Sequence, residues 1–165
     1  MNAPSEPIAP AVLRSALGRF TTGVTIITCR DAAGAAIGLT ANSFNSLSLD
    51  PPLILWSLRA SSQSLPAFCA ATHFAVNVLA EAQVDLSRRF ASSQPDKFAE
   101  GQWADGLGGA PILAGCAAVL ECERFAEHVA GDHVLFIGQV RQLFEAPLQP
   151  LVFQSGRYHL LGEIL

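Results

Sequence analysis

Thr40, Asn42, Ser43, Asn45, Ser46 and Ser48 put six hydroxyl or amide side chains into nine residues, just ahead of a Pro51-Pro52 pair. A second polar cluster, Ser57, Arg59, Ser61, Ser62 and Ser64, follows the next apolar run. Serine and asparagine populate turns by bonding their own backbone, and either cluster alone reads as a turn. Two such loops flanking one strand converge on a single pocket rich in hydroxyls and backbone N–H groups. That pocket can hold a phosphate and a polar heterocycle without a basic cluster. The expected ligand is large, with a flat ring system and a phosphate. His133 stands in "AGDHVLFIG" at the entry to a strand, where it is either structural or a rim residue. Arg88 and Arg89 in "LSRRF" read either as a solvated helix end or as a fork for a phosphate. His73 and His128 read as structural or exposed. The sequence offers no triad, carboxylate pair or metal cluster, so no metal is expected.

The elements that must position these residues follow from periodicity. Val12, Leu13, Ala16, Leu17 and Phe20 recur at helical spacing after Pro10, predicting a helix of about three turns. "VTIITCR" (24–30) and "AIGLTAN" (36–42) form a hairpin that delivers Thr40, Ala41 and Asn42 to one rim of a sheet. The proline pair forbids helix before the buried strand "LILWSLR" (53–59). A short helix at 63–71, a strand at 73–79 and a helix at 81–91 come next. The Gly-rich segment 92–111 is an excursion across the surface. "AAVLECERF", "DHVLFIGQVRQLF", "PLVFQ" and "RYHLLG" carry further strand signals. Six or seven strands against two or three short helices favour a mainly β, closed or nearly closed antiparallel barrel over a doubly wound sheet. The "GLGG" at 106–109 lacks Rossmann spacing and follows a polar loop.

Bulk composition narrows the class. A chain of 165 residues is long enough for one core and short for two. Hydrophobic residues are 50% and charged residues 15%, which leaves little polar surface for a monomer and predicts burial between subunits. A net charge of −4 with scattered basic residues leaves no footprint for nucleic acid. The longest apolar run, 110–120, falls well short of the roughly 20 residues of a bilayer span, so no membrane association is expected. "MNAPSEPIAP" lacks the basic and apolar regions of a secretory signal, and a cytoplasmic location is expected. Cys29, Cys69, Cys116 and Cys122 form no CxxC pair and read mainly as core thiols.

Five ordered blocks, "FTTGVTIIT", "GLTANSFNSLSLDPPLILWSL", "FAVNVLAEAQVDLSRRFA", "GDHVLFIGQV" and "GRYHLLG", resemble the short-chain flavin reductases that serve two-component flavin monooxygenases. The likeness runs from about Leu13 to Gly162, making 13–165 one domain behind a tail of residues 1–12. It implies an FMN-binding split β-barrel, homodimeric, with FMN or FAD at the subunit interface and NADH or NADPH as hydride donor. Reduced flavin would leave for a separate flavin-dependent monooxygenase. The resemblance places Thr40, Ala41, Asn42 and Ser43 along the flavin ring edge and ribityl chain. Ser57, Leu58 and Arg59 would line the next stretch, with Ser61, Ser62 and Ser64 near the phosphate. This last loop has no lysine or arginine after Arg59, so Arg59 or an arginine of "SRRF" is expected to supply the charge. Arg89 and Phe90 approach the flavin on this reading. His133 would orient the nicotinamide, and Arg157, Tyr158 and His159 would lie near the same pocket; Tyr158 reads equally as a core residue. Three alternatives remain: a flavoprotein with tightly bound FMN and its own substrate, a pyridoxamine-phosphate oxidase, and a non-catalytic flavin-binding or redox-sensing module.

Overall fold

The computed structural model describes residues 7–164. In chain order the elements are α1 (Pro10–Leu17), β1 (Thr22–Gly23), β2 (Thr25–Arg30), β3 (Ala36–Ala41), β4 (Asn45–Leu49), β5 (Pro52–Arg59), α2 (Leu65–Ala70) and β6 (His73–Val78). They continue with α3 (Val84–Ala91), β7 (Trp103–Asp105), β8 (Pro111–Leu113), β9 (Ala118–Ala130), β10 (His133–Glu145), β11 (Val152–Gln154) and β12 (Arg157–His159). Single 3₁₀ turns lie at Glu81–Gln83, Lys97–Ala99 and Leu107–Gly109.

Seven strands form an antiparallel sheet in the order β3-β2-β6-β9-β10-β5-β4. Its two edge strands, β3 and β4, are consecutive in sequence and joined by only Asn42, Ser43 and Phe44. Such a link reaches at most ~14 Å at ~3.6 Å per residue. The sheet must therefore roll until its edges nearly meet. No ladder joins β3 to β4, so the closed barrel expected from the strand count is corrected to a rolled, open-edged sheet. The slot left between the edges is filled by the 42–44 link.

Rolling gives the sheet two apolar faces. Inside lie Ile27, Cys29, Ile54, Trp56, Phe68, Phe74, Val76, Cys122, Val134 and Phe136. Outside, under α3, lie Val24, Ile26, Leu79, Phe90, Leu113, Val119 and Leu151. Strand β2 feeds both clusters, which is why "VTIITC" is apolar or β-branched without alternation. Gly38 permits the outer packing: a Cβ there would stand 2.7 Å from the Phe90 ring. Asn77 is the polar staple of this layer, its amide donating to the Ile26 carbonyl at 3.0 Å and accepting from Leu113 N–H at 2.8 Å.

Several elements depart from expectation. Helix α1 has eight residues, shorter than three turns, with its apolar residues exposed. Strand β4 lies in a stretch that reads as polar loop, because it is an edge strand whose register shifts between Ser46 and Ser48, which hides the period of two. The excursion 92–111 carries β7 and is pinned by Arg30, which donates to the Gly109 carbonyl at 2.9 Å and to the Asp105 carboxylate. Strand β9 runs on past Phe125 to Ala130. Burial pushes the thiols of Cys29, Cys116 and Cys122 up to about 12, so they are inert core groups. Among the described residues no helix is long and apolar enough to cross a membrane.

Candidate functional site

The site begins where β4 stops covering β5. The β4 ladder pairs only Pro52–Leu55, which leaves the edge of Ser57 bare on that side. Ser43 fills the gap: its hydroxyl accepts from Ser57 N–H and donates to the Ser57 carbonyl, both at 3.0 Å. One side chain thus stands in for a missing strand and ties the 42–44 link to β5. Asn42 is exposed beside it.

On β5 the side chains alternate. Trp56 and Leu58 face the inner core, while Ser57 and Arg59 face outward. Leu58 therefore offers a ligand only its backbone. Across the ladder, Ser57 pairs with Leu135 and Arg59 with His133, and the Ala60 N–H donates to the Asp132 carbonyl at 2.8 Å. This brings Asn42, Ser43, Ser57, Arg59 and His133 to one rim. The turn beyond Arg59 carries exposed Ser61, half-buried Ser62, whose hydroxyl accepts from Ser64 N–H at 3.3 Å, and half-buried Ser64.

His133 is oriented by its neighbour. Its Nδ1 lies 2.7 Å from the Asp132 carboxylate, and that hydrogen bond holds the Asp132 carboxyl below the usual carboxylate range. An ionised carboxylate only accepts, so Nδ1 carries the hydrogen and Nε2 is left for a ligand. Asp132 was not singled out from sequence; its adjacency in "GDH" was the available signal.

Other expected residues are placed differently. The Thr40 hydroxyl donates to the Ser87 carbonyl at 2.6 Å, turning it toward α3, and Ala41 is buried. Tyr158 pairs its hydroxyl with that of buried Ser87 at 2.9 Å and lies under the Arg88 guanidinium, 5.5 Å from its ring centre. Its hydroxyl is satisfied, as a packed tyrosine requires. Arg157 and His159 project to solvent from β12. Phe90 is 1% exposed, packed edge-on against Phe98 at 5.0 Å, and so is enclosed in the outer core. Arg89 spends its guanidinium on the Lys97 carbonyl at 2.9 Å, the Asp96 carbonyl at 2.7 Å and the Glu100 carboxylate at 3.0 Å. These bonds build a loop. Neither Arg89 nor Phe90 joins the rim.

A cleft of about 520 Å³ opens next to this loop, lined by Ala36, Ile37, Gly38, Ser64 and Asp96–Ala99. Lys97 lies on its wall. It is the chain's only lysine, a rarity that was the sequence signal for it. The donor set fits a flavin nucleotide: hydroxyl, amide and imidazole groups at the rim for a polar ring edge, and an ammonium in the cleft for an anion. Among the described residues no cluster of three or more His, Cys, Asp or Glu could hold a metal ion.

Comparison with known proteins shows the family. The family described as "Flavin reductase like domain" matches residues 17–162. A probable flavin reductase of Rhizobium meliloti is 46% identical over 93% of this chain, which spans 50% of that protein's length. The FMN reductase (NADH) SmoA of Agrobacterium fabrum is 46% identical, with 88% of this chain and 82% of that one covered. The crystal structure of a homologue of nitrilotriacetate monooxygenase component B from Mycobacterium thermoresistibile superposes with a TM-score of 0.88 at 41% identity, covering 92% of this chain and 86% of the other. The chain belongs to the flavin reductase-like family.

Proposed function

We propose that this protein is an NAD(P)H:flavin oxidoreductase that reduces FMN or FAD and releases it to a separate flavin-dependent monooxygenase. The observation that carries the reading is the rim itself: the Ser43–Ser57 clasp, the Arg59–Ser64 turn and a His133 oriented by Asp132 converge on one edge of β5. Support comes from the family and from relatives named as an NADH-dependent FMN reductase and as a monooxygenase component.

A flavin held at this rim would supply the redox chemistry, as the acceptor of a hydride from NADH or NADPH. The chain's task is placement. The Asn42 amide and the 42–44 backbone would hold a polar ring edge, and the clasp fixes that link alongside the free edge of β5. The Nε2 of His133 would hydrogen-bond the nicotinamide, and Asp132 keeps the imidazole from turning. An open rim holds its ligand weakly enough to let reduced flavin depart. Consumption of NADH or NADPH at 340 nm that requires added FMN or FAD supports the reading; no consumption with any of the four combinations overturns it.

His133→Ala is expected to raise the KM for NAD(P)H about tenfold, the worth of one hydrogen bond of ~1–1.5 kcal/mol, with little change for flavin. Steady-state titration of each substrate checks this, and an effect confined to flavin rejects the role.

We also propose the split-barrel homodimer as the working assembly. Strands β4, β9 and β10 expose Leu49 at 95%, Val129 at 82%, Phe125, Leu143 and Phe144, with Val129 beside the β9–β10 turn and Leu143 and Phe144 at the far end of that hairpin. Burying one such side chain fully is worth about 1.5–3 kcal/mol, so a second copy covering part of this apolar surface would gain from it. Light scattering at micromolar concentration should give twice the chain mass; the mass of a single chain would contradict the dimer.

A further inference from the structure

We infer that residues 93–101 are a flap on the cleft, latched by Arg89, and that lifting this flap is the step by which flavin leaves. The inference rests on the flavin reading above and adds to it the device that controls release.

The first argument is attachment. Among the described residues no backbone hydrogen bond ties 93–101 to the rest of the chain. Such bonds stop at Ser92, whose N–H donates to the Arg89 carbonyl at 3.3 Å, and resume at Gln102, whose carbonyl accepts from Ala114 N–H at 2.9 Å. Within the segment, Ala99 N–H donates to the Asp96 carbonyl at 3.0 Å and closes one 3₁₀ turn. The segment can therefore lift as a unit without breaking any ladder, as a region of low local stability does. Gly101, at φ 91°, gives it a hinge in a conformation that glycine takes without strain.

The second argument is the latch. Arg89 stands in the last turn of α3, a helix fixed to the body by the Thr40–Ser87 bond and by buried Phe90. Its guanidinium, 17% exposed, grips the carbonyls of Asp96 and Lys97 and the carboxylate of Glu100. A planar fork on three oxygens holds position as well as charge. The other ties are also side chains: the Lys97 ammonium donates to the Phe90 carbonyl at 3.1 Å, and the Trp103 indole donates to the Glu100 carbonyl at 2.8 Å. Phe98 is the apolar catch, set against Phe90 at 5.0 Å and Trp103 at 4.8 Å.

The third argument is place. The flap supplies one wall of the cleft, Asp96–Ala99, while the opposite wall, Ala36–Gly38, is fixed in the seven-stranded sheet. The Phe98 ring rests on Gly38, where a Cβ would stand 3.1 Å away. Of the two walls only the flap can move, and Arg89 is its positioning residue.

The chain's only lysine lies in the flap, so endoproteinase Lys-C can cut the native protein at Lys97 alone. If flavin leaves through the lifted flap, cleavage of flavin-bound protein and flavin dissociation depend on one opening equilibrium and must change by the same factor. Arg89→Met should speed both Lys-C cleavage of FMN-saturated protein and FMN dissociation, followed by stopped-flow fluorescence, by a common factor of about fivefold or more, the worth of ~1 kcal/mol. Glu100→Gln, which removes only the charge of the latch, should move both by a smaller common factor. On the wild type alone, saturating FMN should slow the cut, which needs no variant to fold. Faster cleavage with unchanged FMN dissociation, or wild-type cleavage indifferent to FMN, overturns the release step. Unchanged cleavage in Arg89→Met overturns the latch. A wild type that binds no FMN removes the flavin reading and the release step with it, while cleavage of the free protein still judges the latch.

Discussion

Replacement of Trp56 by alanine should lower stability by about 3–5 kcal/mol, the range for emptying a large buried aromatic site. Trp56 is fully buried, stacked on Phe136 at 4.7 Å and met edge-on by Phe68 at 4.9 Å and Phe74 at 5.9 Å. These rings come from β5, β10, α2 and β6, so one deletion loosens four elements. Among the described residues the indole Nε1 finds no hydrogen-bond partner. Trp56→Phe therefore loses volume but also removes an unsatisfied donor, and it should cost far less than alanine. Thermal melts would show a fall on the order of 10 °C for alanine. Equal losses for the two variants would mean that the site is not packed as described. The consequence reaches the rim, because an anchored Trp56 is what turns Ser57 and Arg59 outward on the same strand.

Ser43→Ala carries the second large effect. It removes the one hydroxyl that satisfies both backbone groups of Ser57, each bond worth ~1 kcal/mol. The 42–44 link loses its tie to β5, and flavin affinity should fall about tenfold or more. Stability should fall less, because water can reach the half-buried Ser57 backbone. Ser43→Thr keeps the hydroxyl and should retain binding. Fluorescence titration of the three proteins, with melts alongside, separates a positional role from a loss of folding. Full affinity in the alanine variant would show that the clasp does not shape the site.

The sequence displayed the scaffold wherever burial is two-sided or alternation is strict. "VTIITC" and "LILWSLR" read directly as strands, and the hydroxyl clusters around them marked the rim that the Ser43–Ser57 clasp assembles. Pairing partners were invisible, since nothing local states that β3 and β4 form opposite edges of one sheet. The role of Ser43 depends on that long-range fact. Charge placement was illegible for a related reason: Arg88 and Arg89 look alike in sequence, yet helical geometry sends one over Tyr158 and the other into the 96–100 loop. Lys97 lay in a Gly-rich excursion with no periodicity, where position comes entirely from tertiary bonds. The exposed ends of β9 and β10 looked like ordinary strand residues, because a pattern of apolar side chains does not say what will cover them.

The central claim is that this rim seats a flavin. Crystals grown with excess FMN or FAD test it most directly. The account predicts the ring along Asn42–Ser43 and Ser57, the phosphate at the Ser61–Ser64 turn, and one ring face open toward His133. A flavin bound elsewhere, or a rim left empty in crystals saturated with ligand, would contradict it.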